Sequence, residues 1–279
     1  DRTAINLNFD ATVKGAELAA SLEPIPGLRF SFAGGYEDAR LAEGSKSVDL
    51  MDRTAGHPGW HVVKPYIGEA SNCILPDSVI VNRGLATIGN NISACSQAYV
   101  FHLDPVTYLP YVPNPTTRCQ DASITTGTCD NTMPLNIPGY TGFNPDDPAI
   151  NGGNGFDKDI GGNELPNAPH FTTSLTAEYT LPVSEDWAAT LHGDFYWQSQ
   201  SFARIFNDRP YDKIRGYSNV NLALILTSAD GWQAIGYLKN VFDTTAITGA
   251  FLNSDDTALT TNVFLTDPRL FGVRVTKNF

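Results

Sequence analysis

The sequence predicts an all-β chain in which about seven long antiparallel strands run up and down in chain order. Three observations carry this. Segments of roughly ten to fourteen residues, against about five or six in ordinary sheets, alternate between apolar and polar side chains. The connections between them alternate between short and long, and large aromatic residues gather near segment ends.

In chain order the strands are expected at residues 12–22, 28–41, 171–181, 187–200, 217–227, 232–243 and 269–279. Successive strand side chains point to opposite faces, so an apolar/polar alternation means two different surroundings. In the second segment Leu28, Phe30, Phe32 and Tyr36 alternate with Arg29, Ser31 and Ala33. The third sets Phe171, Leu175, Ala177, Tyr179 and Leu181 against Thr172, Ser174, Thr176, Glu178 and Thr180. The fourth places Trp187, Leu191, Phe195 and Trp197 opposite Thr190, His192, Asp194 and Gln198. The fifth sets Val220, Leu222, Leu224 and Leu226 against Asn219, Asn221 and Thr227, with Ile225 an exception. The last sets Phe271, Val273, Val275 and Phe279 against Gly272, Arg274, Thr276 and Asn278; Lys277 breaks the apolar face near the end, where a snorkelling ammonium reaches an interface. Residues 12–22 and 232–243 alternate less clearly.

Glu23–Gly27, Pro182–Asp186 and Ser228–Gly231 are tight turns, whereas 42–167, 201–216 and 244–268 are long connections. Strict short–long alternation, with strands near the roughly 9–11 residues that cross a bilayer at a tilt, is the pattern of an up-and-down transmembrane β-barrel. A soluble Greek-key sandwich has no reason to sort its loops by side. Composition agrees: 42% of the 279 residues are hydrophobic and only 17% charged, below the roughly 25% usual in soluble chains. A mean hydropathy of −0.18 is compatible with alternating strands, and no apolar run is long enough for a membrane helix. The net charge of −12 argues against nucleic acid as a partner. Membrane lipid is the partner the strands imply.

Cys73, Cys95, Cys119 and Cys129 all fall within the longest connection. An even count in one polar stretch points to disulfides and an oxidising compartment; free thiols or a metal site are the alternative, without supporting C-x-x-C or His spacing. Proximity favours Cys73–Cys95 and Cys119–Cys129, with three connectivities open. The same connection carries His57, Trp60, His61, Tyr66, Tyr99, His102, Tyr108 and Tyr111. Of these Trp60, Tyr66 and Tyr108 are candidate contacts for a small-molecule ligand, with packing of the loop on itself as the plainer role. Arg204 and Arg209, in a cluster with Asp208 and Asp212, suit an anionic ligand such as a ferric chelate or an acidic sugar. Asp255 and Asp256 form a second exposed polar cluster, and solvated loop charge is the alternative for both. Residues 152–157 match one Gly-Gly-x-Gly-x-Asp repeat, so Asp157 and Asp159 are weak calcium candidates; such repeats bind as stacked arrays. No metal or other cofactor is otherwise implied. His192 and Asp194 share the polar face of one strand, as lining or as a proton or metal pair.

The C-terminal third carries a resemblance. Gly216-Tyr217-Ser218-Asn219-Val220-Asn221, then Asp230-Gly231-Trp232, then Lys239-Asn240-Val241-Phe242-Asp243, resembles the strand–turn–strand of TonB-dependent outer-membrane receptors. Residues 268–279, ending on Phe279, look like the closing strand of that family. Lys14-Gly15-Ala16-Glu17-Leu18 and the Leu-Pro-x-x-Pro element at 165–169 are similar to its recurrent strand openings. The resemblance touches all seven strands but not the connection 42–167. It implies a C-terminal portion of one β-barrel of the 22-stranded type, in the bacterial outer membrane, with a periplasmic C-terminus and extracellular long loops. It further implies uptake of a scarce ligand, iron–siderophore before carbohydrate, and the barrel-assembly machinery as partner of the C-terminal strand. Seven strands and no plug depart from the family pattern, so a truncated sequence or a split receptor is expected, and TonB would act through a plug absent here. Two other functions remain: a passive porin-like barrel, and a soluble secreted carbohydrate-binding β domain. No Gly-x-Ser-x-Gly, His-Glu-x-x-His or phosphate loop occurs, so no catalytic residue and no enzyme is expected.

Overall fold

The computed structural model describes residues 7–63, 72–83, 94–106, 142–253 and 259–278. Seven strands form one sheet: β1 (Ala11–Ile25), β2 (Leu28–Leu41), β3 (Phe171–Pro182), β4 (Trp187–Gln198), β5 (Tyr217–Ser228), β6 (Trp232–Lys239) and β7 (Leu270–Lys277). Each pairs antiparallel with the next in chain order, and no strand crosses over another. Consecutive antiparallel pairing puts the β1–β2, β3–β4 and β5–β6 turns on one rim and the long connections on the other. The chain is therefore mostly antiparallel β, with the up-and-down order its connections predict.

The register propagates the alternation across the whole sheet. Phe32 lies opposite Leu175, which lies opposite Phe195; Phe195 lies opposite Val220. Leu191 pairs Leu224, Leu222 pairs Leu238, and Leu238 pairs Phe271. One face is consequently a continuous apolar surface over seven strands. It is uncovered: Leu191 and Leu224, on interior strands, are 58% and 48% exposed, and Phe271 is 86% exposed. The other face carries Ser31, Thr176, Glu178, His192, Asp194, Asn221, Gln233, Arg274 and Thr276. The exception Ile225 lies on that polar face directly opposite Ile235. This cross-strand pair also accounts for the blurred alternation of β6.

Trp187 and Trp197 cap the apolar stretch of β4, with Trp232 near the turn rim and Tyr36 packed on Phe171 at the other. Ten residues separate the two β4 tryptophans. At about 3.3 Å per residue they lie about 33 Å apart along the strand. Lys277 lies at the turn rim, its Nζ 5.2 Å from the Trp232 ring and 3.5 Å from Asp230 Oδ2. Its charge leaves the apolar face as the sequence requires.

β7 covers Leu270–Lys277 rather than 269–279, β3 and β5 each run one residue further than expected, and the limits of β1, β4 and β6 differ as well. β1 runs on to Ile25 through an irregularity between Leu22 and Ile25. β4 stops at Gln198, short of residue 200. β6 stops at Lys239 rather than 243, because Asn240 and Asp243 adopt positive φ (46° and 54°), which ends a ladder.

The described residues fall into two compact units: those of 9–43, 160–251 and 262–279 hold the large sheet, and those of 1–8, 44–159 and 252–261 belong to the other. Within the described part of the latter, Lys46–Val48 pairs Asp157–Asp159, Trp60–Val63 pairs Cys73–Pro76, and helix α1 (Asp77–Arg83) follows. Ile74, Leu75, Val79, Ala94 and Ala98 are fully buried around the Cys73–Cys95 disulfide. The connection 42–167 thus contains a folded body with its own core, because apolar residues there are dense enough to bury one another once the disulfide closes the segment. The connection 244–268 also holds structure, the two-stranded pair Ile247–Leu252 and Thr261–Leu265.

Candidate functional site

On the polar face, β3, β4 and β5 align side chains into a hydrogen-bonded rail. His192 Nδ1 lies 3.0 Å from Glu178 Oε1, on the neighbouring strand at the same level, and its Nε2 lies 3.9 Å from Asp194 Oδ1. Asn221 Nδ2 donates to Asp194 Oδ2 at 2.7 Å, and the Asn240 backbone N–H donates to Asn221 Oδ1 at 2.9 Å. Asn240, almost fully buried, ties the rail to the loop rim. Its Nδ2 donates to the carbonyls of Thr244 (3.0 Å) and Asp267 (2.8 Å), while its Oδ1 accepts from the Thr244 N–H. Asp243 Oδ1 accepts from the Arg269 N–H. The Asn-Val-Phe-Asp element therefore ends β6 and anchors the chain entering β7. The rail presents carboxylates, an imidazole and amides to whatever passes over this face. Among the described residues no group of three or more His, Cys, Asp or Glu side chains is disposed to hold a metal.

The loop rim is a second polar layer. Arg204 donates bidentately to Asp212 (2.6 and 3.1 Å), whose side chain is 1% exposed, and stacks over Phe206 and Tyr211. Asn163 donates to the carbonyls of Ile205 and Phe206, and Asn207 Oδ1 accepts from the Glu164 N–H. His170 places Nε2 3.0 Å from Glu164 Oε1 and Nδ1 2.9 Å from the Glu37 carbonyl. Chiefly the Glu164 carboxylate holds the His170 pKa above its ordinary value, against partial desolvation. In the turn, the Ser228 hydroxyl and then Lys277 hold the Asp230 carboxyl below the usual range.

In the disulfide-bonded unit, Trp60 packs edge-on against Phe143 (6.2 Å) and Phe156 (5.1 Å), and partly buried Trp60 and Tyr99 adjoin the core. The Tyr99 hydroxyl donates to the Ile74 carbonyl, and burial pushes the phenol pKa up. The calcium-like repeat builds a left-handed turn at Asn151, Gly152 and Gly153. A Cβ at Gly153 would meet the Tyr99 ring at 2.4 Å, so this glycine serves packing. Asp157 Oδ1 accepts from Asn151 at 3.1 Å, and Asp157 and Asp159 lie two apart on one short strand.

Of the residues the sequence singles out, Arg204 and Arg209 share one rim loop, Arg209 Nε lying 3.9 Å from Asp208 Oδ1; Trp60 lies in the other unit. Tyr66, Tyr108, Cys119, Cys129, Asp255, Asp256 and Phe279 lie outside the described residues. Phe271, Val273 and Val275 share the apolar face of β7. Sequence reasoning assigned no role to Asn163, Glu164, His170, Asn207 or Asn240. Only Asn240 carried a signal, inside its motif.

No protein-family model and no curated protein sequence matches the chain. Among solved structures it is similar to the ferric yersiniabactin uptake receptor FyuA from Yersinia pestis: 10% identity, TM-score 0.48, 96% of this chain and 24% of that one. It is likewise similar to the siderophore receptor PiuA from Acinetobacter baumannii, at 11% identity and TM-score 0.45 over 95% of this chain and 21% of that one. A third is the ferric preacinetobactin receptor BauA from Acinetobacter baumannii, at 9% identity and TM-score 0.37, over 94% of this chain and 29% of that one. The chain thus spans less than a third of the length of each of these receptors.

Proposed function

We propose that this chain forms part of the wall and extracellular loops of an outer-membrane β-barrel receptor that takes up a scarce ligand with TonB, an iron–siderophore complex before a carbohydrate. The observation that carries the reading is the uncovered apolar face. Six inter-strand spacings of about 4.8 Å and about 33 Å of length along the strands make a patch of about 950 Å². Patches on soluble monomers rarely exceed about 300–600 Å². Lipid is the solvent that makes such a surface favourable, and aromatic residues at both rims sit where headgroups lie. The opposite face, with its rail from Glu178 to Asn240, then lines an aqueous interior.

The choice of an active receptor over a passive pore rests on the resemblance of residues 216–243 and 268–279. The braced loop at 201–214 stands on the rim where a ligand is first met, and the folded body within 44–159 belongs to the same long-loop side of the chain by its place in the sequence. Arg204 and Arg209 remain the proposed ligand side chains of that rim, with Trp60 in the folded body; TonB and the barrel-assembly machinery are the proposed protein partners.

Single cysteines test the wall. In outer-membrane vesicles, cysteine at Leu191 or Val273 is expected to resist a water-soluble maleimide, and cysteine at Thr176 or Thr190 to react. Equal labelling of both faces would reject the membrane reading. Uptake is tested in cells carrying the full protein, with a labelled ferric siderophore panel. Accumulation that persists without TonB would reject active import and leave a pore.

A further inference from the structure

We propose that His170 is a proton-operated latch that pins the chain returning to β3, and with it the 201–209 loop, to the rim of β2. The ring joins two segments, its own return segment and β2. Its Nδ1 lies 2.9 Å from the Glu37 carbonyl on β2, and its Nε2 lies 3.0 Å from Glu164 Oε1. The Tyr36 ring stacks against it at 6.1 Å and 17°. Both nitrogens therefore face acceptors. A neutral imidazole has one N–H and satisfies one of them; only the imidazolium donates to both.

The surrounding charges agree in sign. Glu164 and, more weakly, Asp38 favour the charged ring. Arg40, the cation of this rim, donates to Asp38 (2.7 Å) and to the Gly162 carbonyl (3.0 Å). Tyr36 contributes a ring face and Glu37 its carbonyl. Glu164 is also where the second loop docks. Its N–H donates to Asn207 Oδ1 at 2.7 Å, and its carbonyl accepts from Asn207 Nδ2 at 3.3 Å. Asn163 beside it holds the carbonyls of Ile205 and Phe206 at 2.9 Å. Backbone bonds also hold this segment to β2, from the N–H of Glu37 to the His170 carbonyl (2.9 Å), of Leu41 to the Asn163 carbonyl (2.9 Å) and of Leu165 to the Ala39 carbonyl (3.0 Å). Releasing Glu164 from His170 therefore weakens one tie common to both rim segments without detaching them. A histidine with a raised folded-state pKa contributes its stabilisation fully below the unfolded value and loses it as pH rises through the folded value. Below the raised pKa the latch holds both acceptors, and above it one of the two bonds is lost. This inference does not depend on what the protein transports.

The test is amide exchange on the full-length protein in detergent, with the ring's titration followed by NMR. His170 is expected to titrate above about 6.5. Protection of residues 163–170 and 205–207, corrected for intrinsic exchange, is expected to fall about tenfold between about pH 5.5 and 8.5, the loss of one charge-assisted hydrogen bond at a partly exposed site. Glu164→Gln should move the transition to lower pH, and His170→Gln should abolish it while leaving protection of β3 and β4 intact. A ring that titrates at or below 6.5, or a wild-type profile parallel to that of His170→Gln, overturns the latch. Loss of β3–β4 protection in His170→Gln shifts the decision to the wild-type titration and Glu164→Gln, which disturb no strand.

Discussion

Replacing Leu191 by arginine separates a lipid-facing wall from a soluble sheet, because its depth follows from the strand itself. Leu191 lies four residues from Trp187 and six from Trp197, on the apolar face opposite Leu224. At about 3.3 Å per residue and a tilt of about 40°, it sits about 10 Å above one aromatic rim and about 15 Å below the other, close to mid-bilayer. An arginine there costs about 2–4 kcal/mol, and near the rims about 0–1 kcal/mol. The control is Ala223→Arg, at the same level on the polar face opposite His192, within reach of Asp194 and Glu178. Its expected cost is within about 0.5 kcal/mol of zero. Reversible urea unfolding of the full-length protein in lipid vesicles, followed by tryptophan fluorescence, reads the difference. If Leu191→Arg costs no more than Ala223→Arg, the apolar face does not meet lipid and the membrane reading fails.

Four further outcomes follow from particular contacts. Gly231, at φ 94°, would put a Cβ 2.6 Å from the Asn278 carbonyl; Gly231→Ala should destabilise the β5–β6 turn by at least about 1 kcal/mol, seen as faster exchange of the Trp232 amide. Asp230, with its lowered pKa, contributes fully above its unfolded pKa and loses that contribution as pH falls through the folded one. Protection of the same turn should therefore fade only in strong acid, and Asp230→Asn should remove that pH dependence. The Cys73–Cys95 bridge spans 22 residues; replacing both cysteines by serine should cost that unit about 3 kcal/mol by loop entropy, measured as susceptibility to limited proteolysis while the large sheet stays resistant. Arg204→Ala strands the buried Asp212 carboxylate and should cost the 201–214 loop about 3–5 kcal/mol. Lower ligand affinity with unchanged loop protection would instead mean that Arg204 contacts the ligand directly.

The large sheet was legible in the sequence because one of its faces is apolar and the other polar. β3, β4 and β5 each repeat the partition over 12 residues, and no local accident imitates that. β1 was faint because Ala16, Ala19 and Ala20 occupy both faces, and β6 because Ile235 turns inward to meet Ile225. The rim was not legible. His170 reaches Glu37 across 133 residues of sequence, and Asn163 reaches Ile205 across 42; neither partner has a fixed spacing that periodicity could reveal. For Trp60 packing of the loop on itself was the plainer expectation and ligand contact the sharper one; its rings lie against Phe143 and Phe156. The cysteine spacing limited the pairing without fixing it. The body those cysteines tie was hidden because its strands, three or four residues long, are too short to show a period.

Strand direction at the sheet's two edges constrains the rest of the proposed barrel. β1 enters from the loop rim and ends at the Pro26–Gly27 turn, and β7 also leaves the loop rim and ends beside the Ser228–Gly231 turn. The two edge strands are therefore parallel. Closing the sheet on itself, or joining β7 of one copy to β1 of another, would make a parallel pair in a wall that is otherwise antiparallel. Antiparallel pairing of like edges from two copies would place their loop rims on opposite sides of the membrane. Lipid tolerates no unpaired edge, so an antiparallel closure takes an odd number of additional strands, the first and last both running from turn rim to loop rim. Cysteine pairs with one member on β1 and one on β7 are then expected to form no disulfide in the assembled protein at any register, and a single efficient cross-link of that kind would refute the antiparallel closure.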